Sequence, residues 1–253
     1  MGWLADRRVV VTRSREQAGT LAGLLESAGA EALVFPSIEI VDPPDMAPLD
    51  AALCGLDVYA WAVFTSVNTV ERFFERMAMS DLDARDLHGL RVAAVGPATA
   101  AALRSHGIEA DLVPDEYVGE GVLEALCARG VGEGTRVLLP RALEAREVLP
   151  DGLRERGARV DVVPVYQTVV GPGDPAVLER LRAGDADAVT FTSPSTVRGF
   201  LRLVGDVDLD RLVVAVIGPI AAAAARDAGL RIDVEPSDYT APALVAALDE
   251  YGR

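Results

Sequence analysis

The chain has 253 residues, half of them hydrophobic, and its 24 Lys and Arg residues against 39 Asp and Glu residues give a formal net charge of −15. This length allows one large domain or two smaller ones with a substantial core, and the composition excludes a disordered, collagen-like or disulfide-stapled protein. The acidic balance argues against nucleic acid or an anionic membrane as a main partner. A small anionic ligand is still compatible with it, because helix N-termini bind anions locally.

Short apolar runs alternate with amphipathic helical patterns along the chain. Apolar runs without polar alternation are typical of strands covered on both faces, and their alternation with helices is typical of a parallel sheet. The sequence therefore predicts an α/β fold. The clearest pairs of strand and following helix are Val9–Val11 with Arg15–Ala28, Ala62–Phe64 with Val67–Arg76, and Val92–Val95 with Ala98–His106.

The chain also carries an internal duplication, which predicts two related sheets. Three pairs of segments match in order, and a fourth pair lies downstream of the third at the same offset of 122, namely Glu116-Tyr117 with Asp238-Tyr239. The offset falls by five residues between the second and third pairs, which predicts a deletion around Val204–Asp210. In order, the matches are Val9-Val-Val-Thr-Arg13 with Val137-Leu-Leu-Pro-Arg141 at an offset of 128, Ala62-Val-Phe-Thr-Ser66 with Val189-Thr-Phe-Thr-Ser193 at 127, and Val92-Ala-Ala-Val-Gly-Pro97 with Val214-Ala-Val-Ile-Gly-Pro219 at 122.

The matching motifs all lie where a predicted strand turns into a helix. Ligands of open parallel sheets bind beyond the carboxyl ends of the strands. Hydroxyl groups there cap helices, and backbone N–H groups there bind anions. The sequence therefore predicts a cleft between two domains that binds several carboxylates, lined by the turns at Thr12–Ser14, Thr65–Ser66, Gly96–Thr99, Pro140–Arg141, Thr192–Ser195 and Gly218–Pro219.

Few other residues indicate chemistry. Cys54 and Cys127 lack metal-type spacing and are predicted to be reduced structural thiols, and His88 and His106 stand alone in the sequence. Phosphate-loop, dinucleotide and metalloprotease motifs do not occur. The N-terminus does not resemble a signal peptide, and the longest apolar stretch, Leu212–Ala225, is shorter than the roughly 20 residues of a membrane span. We therefore expect a cytoplasmic monomer that uses no metal and binds neither nucleic acid nor a membrane.

In this order and spacing, the motifs resemble the uroporphyrinogen-III synthase family, the cyclases of tetrapyrrole biosynthesis. The resemblance implies two related flavodoxin-like, doubly wound parallel-sheet domains joined by two crossing linkers near 37–44 and 165–171. It implies a discontinuous first domain of residues 1–37 plus 168–253 and a second domain of residues 38–167. The matching pieces are Val10-Val-Thr-Arg13, Phe64-Thr-Ser-Val-Asn68, Val95-Gly-Pro-Ala-Thr99, Val165-Tyr-Gln-Thr168, Phe191-Thr-Ser-Pro-Ser195 and Ile217-Gly-Pro219.

The resemblance also implies the reaction. The substrate would be hydroxymethylbilane, a linear tetrapyrrole with eight carboxylates. It would lose its terminal hydroxyl as water and close to uroporphyrinogen III through a spiro intermediate, with inversion of ring D. No metal or organic cofactor is implied, and positioning alone supplies about 7–11 kcal/mol of barrier reduction in favourable cases. A transient handover of substrate from hydroxymethylbilane synthase is the one protein partner considered.

By the same resemblance, Tyr166 is predicted to act as the general acid for the leaving hydroxyl, and the alternative is a packed tyrosine. For the hydroxyl-bearing residues of the site the alternative is helix capping, and for Arg13 and Arg141 it is a structural ion pair. Tyr117 and Tyr239 are predicted to anchor loops, with lining of the cleft as the lesser alternative. The predicted substrate-binding residues are Arg13, Thr65, Ser66, Asn68, Gly96, Pro97, Thr99, Arg141, Thr192, Ser193, Ser195, Gly218, Pro219 and Ile220.

The chain departs from the family pattern at Ile220-Ala221, where the family commonly carries hydroxyl groups after the second Gly-Pro. This departure supports an alternative function, a non-catalytic tetrapyrrole-binding or regulatory relative on the same scaffold. A periplasmic-type binding protein is a further alternative, and the N-terminus argues against it. A nucleotide-dependent transferase is the last alternative, and the lack of a phosphate fingerprint argues against it.

Overall fold

The computed structural model describes residues 2–252. Two short 3₁₀ turns, Leu56–Val58 and Ala84–Leu87, supplement nine strands and ten helices in this part of the chain. In chain order the strands and helices are β1 (Arg8–Val11), α1 (Arg15–Ser27), β2 (Glu31–Val34), β3 (Ile38–Val41), α2 (Ala47–Leu53), β4 (Trp61–Phe64), α3 (Val67–Met79), β5 (Arg91–Ala94), α4 (Pro97–Ser105), α5 (Gly119–Ala128), β6 (Arg136–Ala142), α6 (Val148–Glu155), β7 (Arg159–Val170), α7 (Pro175–Arg182), β8 (Ala188–Phe191), α8 (Pro194–Val204), β9 (Val213–Val216), α9 (Pro219–Asp227) and α10 (Ala241–Asp249).

The chain divides into two compact units. Unit 1 comprises Met1–Ile40 and Thr168–Arg253, and unit 2 comprises Val41–Gln167. The boundaries expected from the sequence were 37/38 and 167/168, so the first observed boundary lies three residues further along the chain. Strands β3 and β7 contain the two boundaries, and the chain passes from one unit to the other through them.

Unit 1 is built on a parallel sheet with the strand order β2-β1-β8-β9. Strand β1 pairs in parallel with β2, with Arg8 opposite Glu31, and on its other side with β8. Strand β8 in turn pairs in parallel with β9. An isolated parallel bridge between Ala215 and Val234 adds a fifth position beyond β9. Numbered within the unit, this is the flavodoxin-like order 2-1-3-4-5.

Unit 2 repeats this arrangement with segments in a different chain order. Its sheet reads β3-β7-β6-β4-β5, with a parallel bridge between Ala93 and Leu112 beyond β5. Under the sequence duplication, β6 and β7 correspond to β1 and β2, and β4 and β5 correspond to β8 and β9. Apart from β3, an edge strand beside β7 without a counterpart in the sheet of unit 1, the two sheets share one spatial order. This confirms the predicted α/β class of two related flavodoxin-like folds.

The strands are apolar throughout because helices cover both faces of each sheet. In β1 the residues Val9, Val10 and Val11 are all fully buried. Val9 and Val11 pack in the hydrophobic cluster under α1 and α10, whereas Val10 packs in the cluster with α7, α8 and α9. This period of two residues is what a pleated strand requires of its side chains.

Two glycines allow a close approach of backbones where the chain enters unit 1 from β7. A Cβ atom on Gly171 would lie 2.3 Å from the carbonyl oxygen of Pro36, and one on Gly199 would lie 2.2 Å from that of Ser37. The Gly171 N–H donates to the Ser37 carbonyl at 2.9 Å. The buried Ser37 hydroxyl also donates to the carbonyl of Thr12 at 2.7 Å, and so ties this segment to the turn after β1.

One predicted turn is wrong. Pro140 and Arg141 lie within β6, not in the turn after it, because the longer β6 continues to pair with β7 as far as Ala142 opposite Tyr166. The shorter connection predicted near Val204–Asp210 is visible between α8 and β9. The equivalent connection in unit 2 contains the 3₁₀ turn Ala84–Leu87.

Candidate functional site

The turn after β4 is organised by a serine N-cap. Ser66 has extended backbone angles, and its Oγ accepts a hydrogen bond from the Thr69 N–H at 3.1 Å, which satisfies one of the free donors at the start of α3. Ser66 Oγ also lies 2.8 Å from the Thr69 hydroxyl. Thr65 and Asn68 flank this cap and are half-buried.

The turn after β8 repeats this geometry in unit 1. Ser193 Oγ accepts from the Thr196 N–H at 3.2 Å, and the Thr196 hydroxyl accepts in return from the Ser193 N–H at 3.2 Å. Ser195 Oγ lies 2.9 Å from Ser193 Oγ. Ser193, Ser195 and the neighbouring Thr192 are all partly exposed, so this turn presents three hydroxyl-bearing residues.

Sequence reasoning missed Thr69 and Thr196, the fully buried threonines that complete these two turns. Each lies three residues after its capping serine. The signal was available, because the spacing of a capping box and the offset of 127 between Thr69 and Thr196 both point to an equivalent role. These threonines hold the serine side chains in place.

Tyr166 lies on β7 at the carboxyl edge of the sheet of unit 2. The register between β6 and β7 shifts after Arg141, which pairs with Pro164, so that Ala142 pairs with Tyr166 and one residue of β7 is extra. Such irregularities re-aim side chains. Tyr166 is 8% exposed, and its hydroxyl lies 3.4 Å from Ser66 Oγ.

The Ser66–Tyr166 contact brings together two residues that lie 100 positions apart in the sequence. A separation of 3.4 Å is long for two hydroxyl oxygens, which usually lie about 2.7–2.8 Å apart when bonded. The Tyr166 hydroxyl is therefore only loosely held and can interact with a third group. Catalytic hydrogen bonds in unliganded enzymes are often long in this way.

The two Gly-Pro motifs start helices α4 and α9. Gly96 and Gly218 are the N-cap residues, and Pro97 and Pro219 occupy the first helical position, where a missing N–H costs nothing. Because glycine has no side chain to accept a hydrogen bond, the free N–H groups of these first helical turns need acceptors from elsewhere. In the first turns of these helices, Thr99 is buried at 3% exposure, whereas Ile220 is 53% exposed.

Arg13 and Ser14 follow β1 and contain unsatisfied polar atoms. Arg13 Nε and Ser14 Oγ are both buried without a hydrogen-bond partner. Within residues 2–252 the Arg13 side chain donates one long hydrogen bond, to Gln17 at 3.4 Å. Burial lowers the pKa of the Arg13 guanidinium. No carboxylate in the described residues forms an ion pair with Arg13, so its charge is left without compensation.

Arg141 has a different environment from Arg13, although the two occupy equivalent positions in the duplication. Arg141 is 7% exposed and forms an ion pair with Glu147. It also donates to the carbonyl oxygen of Arg146 at 3.1 Å, while its Nε has no partner. The structural ion pair considered as the alternative from the sequence is therefore present.

The two histidines and the two cysteines noted in the sequence have local roles or lie away from these turns. His106 stacks on Phe74 and contacts Glu71 at 3.2 Å, and His88 ends a 3₁₀ turn. Cys54 and Cys127 are free thiols. Across residues 2–252 no cluster of three His, Cys, Asp or Glu side chains is arranged to hold a metal ion.

Within the same part of the chain, no helix has both the length and the apolar character of a transmembrane segment. The family model described as uroporphyrinogen-III synthase HemD matches residues 19–246. This match confirms the resemblance inferred from the motifs.

Two curated relatives match this chain over nearly their whole length. A protein of Methanothermobacter thermautotrophicus, whose name assigns it to the same synthase, is 35% identical over 250 residues, which cover 95% of this chain and 96% of the relative. The uroporphyrinogen-III synthase of Synechococcus elongatus is 30% identical over 259 residues, which cover 99% of this chain and 97% of the relative.

Solved structures support the fold. A mutant uroporphyrinogen III synthase from Thermus thermophilus superposes with a TM-score of 0.64 at 20% identity, covering 95% of this chain and 96% of that one. The Helicobacter pylori uroporphyrinogen-III synthetase gives a TM-score of 0.63 at 19% identity, covering 95% and 97%. At these identities the likeness concerns the fold alone.

Proposed function

Because this chain belongs to the uroporphyrinogen-III synthase family, we propose that it closes the linear tetrapyrrole hydroxymethylbilane to uroporphyrinogen III. The reaction loses water and inverts ring D through a spiro intermediate. Uncatalysed closure gives the non-inverted isomer, so the enzyme has to activate the leaving hydroxyl and hold one conformation of the chain. Both tasks suit a site made of hydroxyl groups and backbone donors, and the proposed mechanism uses no metal or organic cofactor.

The buried Tyr166 hydroxyl at the carboxyl edge of the sheet is the observation on which the mechanism rests. Its phenol donates a proton to the terminal hydroxyl of the substrate, which departs as water and leaves an electrophilic azafulvene. Ring D attacks the azafulvene methylene through the ring carbon that already carries the bridge to ring C, which forms the spiro intermediate. The bond from that carbon to the bridge then breaks and leaves a second azafulvene on ring C. The free α-carbon of ring D attacks this azafulvene and closes the macrocycle with ring D inverted. The proton released when the macrocycle regains its pyrrole rings returns to the Tyr166 oxygen, so that the enzyme ends as it began.

Ser66 is placed to orient the Tyr166 phenol for its proposed role as general acid. Its Oγ is fixed by the Thr69 N–H and hydroxyl, and it lies 3.4 Å from the Tyr166 hydroxyl. A polar group held at that distance orients the phenol without occupying all of its hydrogen-bonding capacity. Ser66 is therefore proposed as a positioning residue as well as a substrate contact.

Arg13 is proposed to bind a substrate carboxylate together with Ser14. The unpaired guanidinium and the unsatisfied Ser14 hydroxyl lie at the start of α1, whose N-cap makes no side-chain hydrogen bond. A carboxylate would satisfy these donors and the N–H groups of the first helical turn together.

Except for Pro97 and Pro219, which begin α4 and α9, the other predicted contacts offer hydroxyl, amide or backbone N–H groups. Arg141 is proposed to contact substrate only through the edge that Glu147 leaves free. Monomeric action and substrate handover from hydroxymethylbilane synthase stay predictions. The remaining proposed contacts are Thr65, Asn68, Gly96, Pro97, Thr99, Thr192, Ser193, Ser195, Gly218, Pro219 and Ile220.

A coupled assay tests the proposed function directly. Purified hydroxymethylbilane synthase generates the linear substrate in place, this protein is added, and the oxidised porphyrins are separated by isomer. We expect mainly the type III isomer, and type I when the protein is omitted. Unchanged type I product with a folded protein would contradict the proposal.

Tyr166→Phe tests the role of the phenol. We expect kcat to fall about a hundredfold or more, because general acids contribute about 10²–10⁴-fold, and KM to change little. Tyr59→Phe is the matched control, because Tyr59 is 7% exposed and donates to Asp161 at 2.8 Å from the opposite edge of the same sheet. Equal kcat values for Tyr166→Phe and Tyr59→Phe would remove Tyr166 from the mechanism.

A specific observation favours a second candidate function. Ala221 takes the position of Thr99 in the duplication, and it is 3% exposed, so that the first turn of α9 offers no hydroxyl there. A non-catalytic tetrapyrrole-binding relative would bind porphyrinogen without changing the isomer ratio. The coupled assay separates the two functions, because only the cyclase raises the type III fraction.

A further inference from the structure

Tyr117 and Tyr239 occupy the same unusual turn in the two units. The Val118 N–H donates to the Glu116 carbonyl at 2.9 Å, and the Thr240 N–H donates to the Asp238 carbonyl at 2.8 Å. A hydrogen bond between residues two apart defines a three-residue turn, and a tyrosine lies at its centre in each case. The duplication has therefore kept both the residue and its backbone geometry.

Each tyrosine ring lies directly on a Gly-Pro turn. A Cβ atom on Gly96 would lie 3.2 Å from Cγ of Tyr117, and one on Gly218 would lie 2.8 Å from Cδ1 of Tyr239. Both glycines have extended backbones, with φ of −168° and 171°, which any residue can adopt. The absence of a side chain is thus needed for the approach of the ring and not for the backbone conformation.

Both rings lie at the carboxyl edge of their sheets. Leu112 and Val234 form parallel bridges with β5 and β9, and each tyrosine follows its bridge residue by five positions in the same direction. Tyr117 is 59% exposed and Tyr239 is 62% exposed. A large aromatic side chain that packs on a glycine yet leaves more than half of its surface in water presents a flat apolar surface to a ligand.

We propose that Tyr117 and Tyr239 each bind a pyrrole ring of the substrate at the carboxyl edge of the sheet of their own unit. This inference rests on the proposed function. A pyrrole is flat and electron-rich, and its N–H edge carries positive charge that is attracted to the negative face of a phenol ring. The helix N-termini beside each tyrosine start with Gly96 and Gly218 and would hold the carboxylates that each pyrrole ring carries.

Alanine and phenylalanine substitutions at the two positions test this assignment in the coupled assay. Tyr117→Ala and Tyr239→Ala should each raise KM about threefold to tenfold, as expected when one aromatic contact is lost, with a smaller change in kcat. The double variant should multiply the two effects, because the residues lie in separate units. The type I isomer should increase in the product, since released substrate closes without inversion.

Tyr117→Phe and Tyr239→Phe should keep the wild-type KM and isomer ratio, because the ring and not the hydroxyl makes the contact. Met79→Ala is the control for loss of an exposed apolar side chain, since Met79 is 76% exposed at the far end of α3, and its KM should not change. Gly218→Ala displaces the Tyr239 ring without removing it, and should raise KM by a smaller factor than Tyr239→Ala.

Three outcomes are distinguishable. Alanine variants with a wild-type KM and isomer ratio but a lower Tm would assign both tyrosines to loop anchoring and overturn this inference alone. A rise in KM that phenylalanine does not restore would likewise overturn binding through the ring. Wild-type protein that forms no type III isomer would overturn the proposed function, and this inference with it.

Discussion

Arg13 and Arg141 show how one motif position acquires two chemical roles. Arg141 is buried with Glu147 as its ion-pair partner, while Arg13 has no carboxylate partner within residues 2–252 and retains an unsatisfied Nε. A partly buried charge without a partner is costly for folding, and a ligand of opposite charge offsets this cost when it binds. Arg13 is therefore the arginine that we propose to bind a substrate carboxylate.

Arg13→Met is predicted to raise stability and lower substrate affinity. Methionine fills a similar space without a charge or donors, so the free energy of unfolding should rise by about 1 kcal/mol while KM increases severalfold. Urea unfolding and the coupled assay measure the two effects on the same preparation.

Arg141→Met is the matched comparison for Arg13→Met. It removes the partner of Glu147 and the donor to the Arg146 carbonyl, and should lower the free energy of unfolding by about 1–3 kcal/mol. Loss of stability in both variants, with no change in KM for Arg13→Met, would show that Arg13 is a structural residue.

At the scale of elements, a charged side chain connects the starts of two neighbouring strands. Asp187, just before β8, accepts from the backbone N–H and the Nε of Arg8, both at 2.9 Å, and so connects the amino ends of β8 and β1. Burial alone would raise the pKa of Asp187, but the hydrogen bonds from the Arg8 side chain and backbone and from Arg7 outweigh it and hold the pKa below its usual value.

Asp187→Asn is predicted to destabilise the protein in a pH-dependent way. Because the folded state has the lower pKa, the carboxylate stabilises the fold fully above the unfolded pKa of about 3.9, and this stabilisation is lost as the pH falls through the folded pKa. The substitution should cost about 1–2 kcal/mol at pH 7 and progressively less below about pH 4.

Urea unfolding of wild type and Asp187→Asn between neutral pH and about pH 3 measures this difference. A difference in unfolding free energy that stays constant across that range would show that the charge of Asp187 is not what connects the two strands. Asp208→Asn, at an exposed loop position preceding β9, serves as the control and should change stability little at any pH.

At the scale of the whole molecule, the two units differ in how the chain builds them. Unit 2 is one continuous stretch, Val41–Gln167, whereas unit 1 requires segments from both ends of the chain. In unit 1 the central β1 comes from the first segment and its neighbour β8 from the second. A continuous unit with its own core pays no penalty for joining distant segments, so the units should differ in independent folding.

We predict that a fragment of residues 38–167 folds by itself, with a cooperative thermal transition monitored by circular dichroism. A fragment of residues 168–253 should stay unfolded, because it lacks Val9, Val11, Leu21 and Leu25, all fully buried in the core of unit 1. Cooperative unfolding of the second fragment, or none in the first, would contradict this prediction.

The local features of this protein are readable from its sequence because they depend on neighbouring residues. Continuous apolar runs indicate strands covered on both faces, Ser66 and Ser193 stand at the starts of amphipathic helices, and ordered motif pairs at similar offsets indicate two related sheets. These patterns led to the α/β class and the family without any knowledge of distant contacts. The turn residues Thr69 and Thr196 were equally readable by the same offset.

Contacts between distant segments are set by packing, and the motifs did not specify them. The extension of β6 that places Arg141 inside a strand depends on its pairing with β7, and the 3.4 Å approach of Ser66 to Tyr166 depends on a register shift in that pair. The same holds for the unpaired charge of Arg13 and for the rings that lie on Gly96 and Gly218. Partners and burial arise from the three-dimensional neighbourhood, and a sequence motif describes only the residues adjacent to it along the chain.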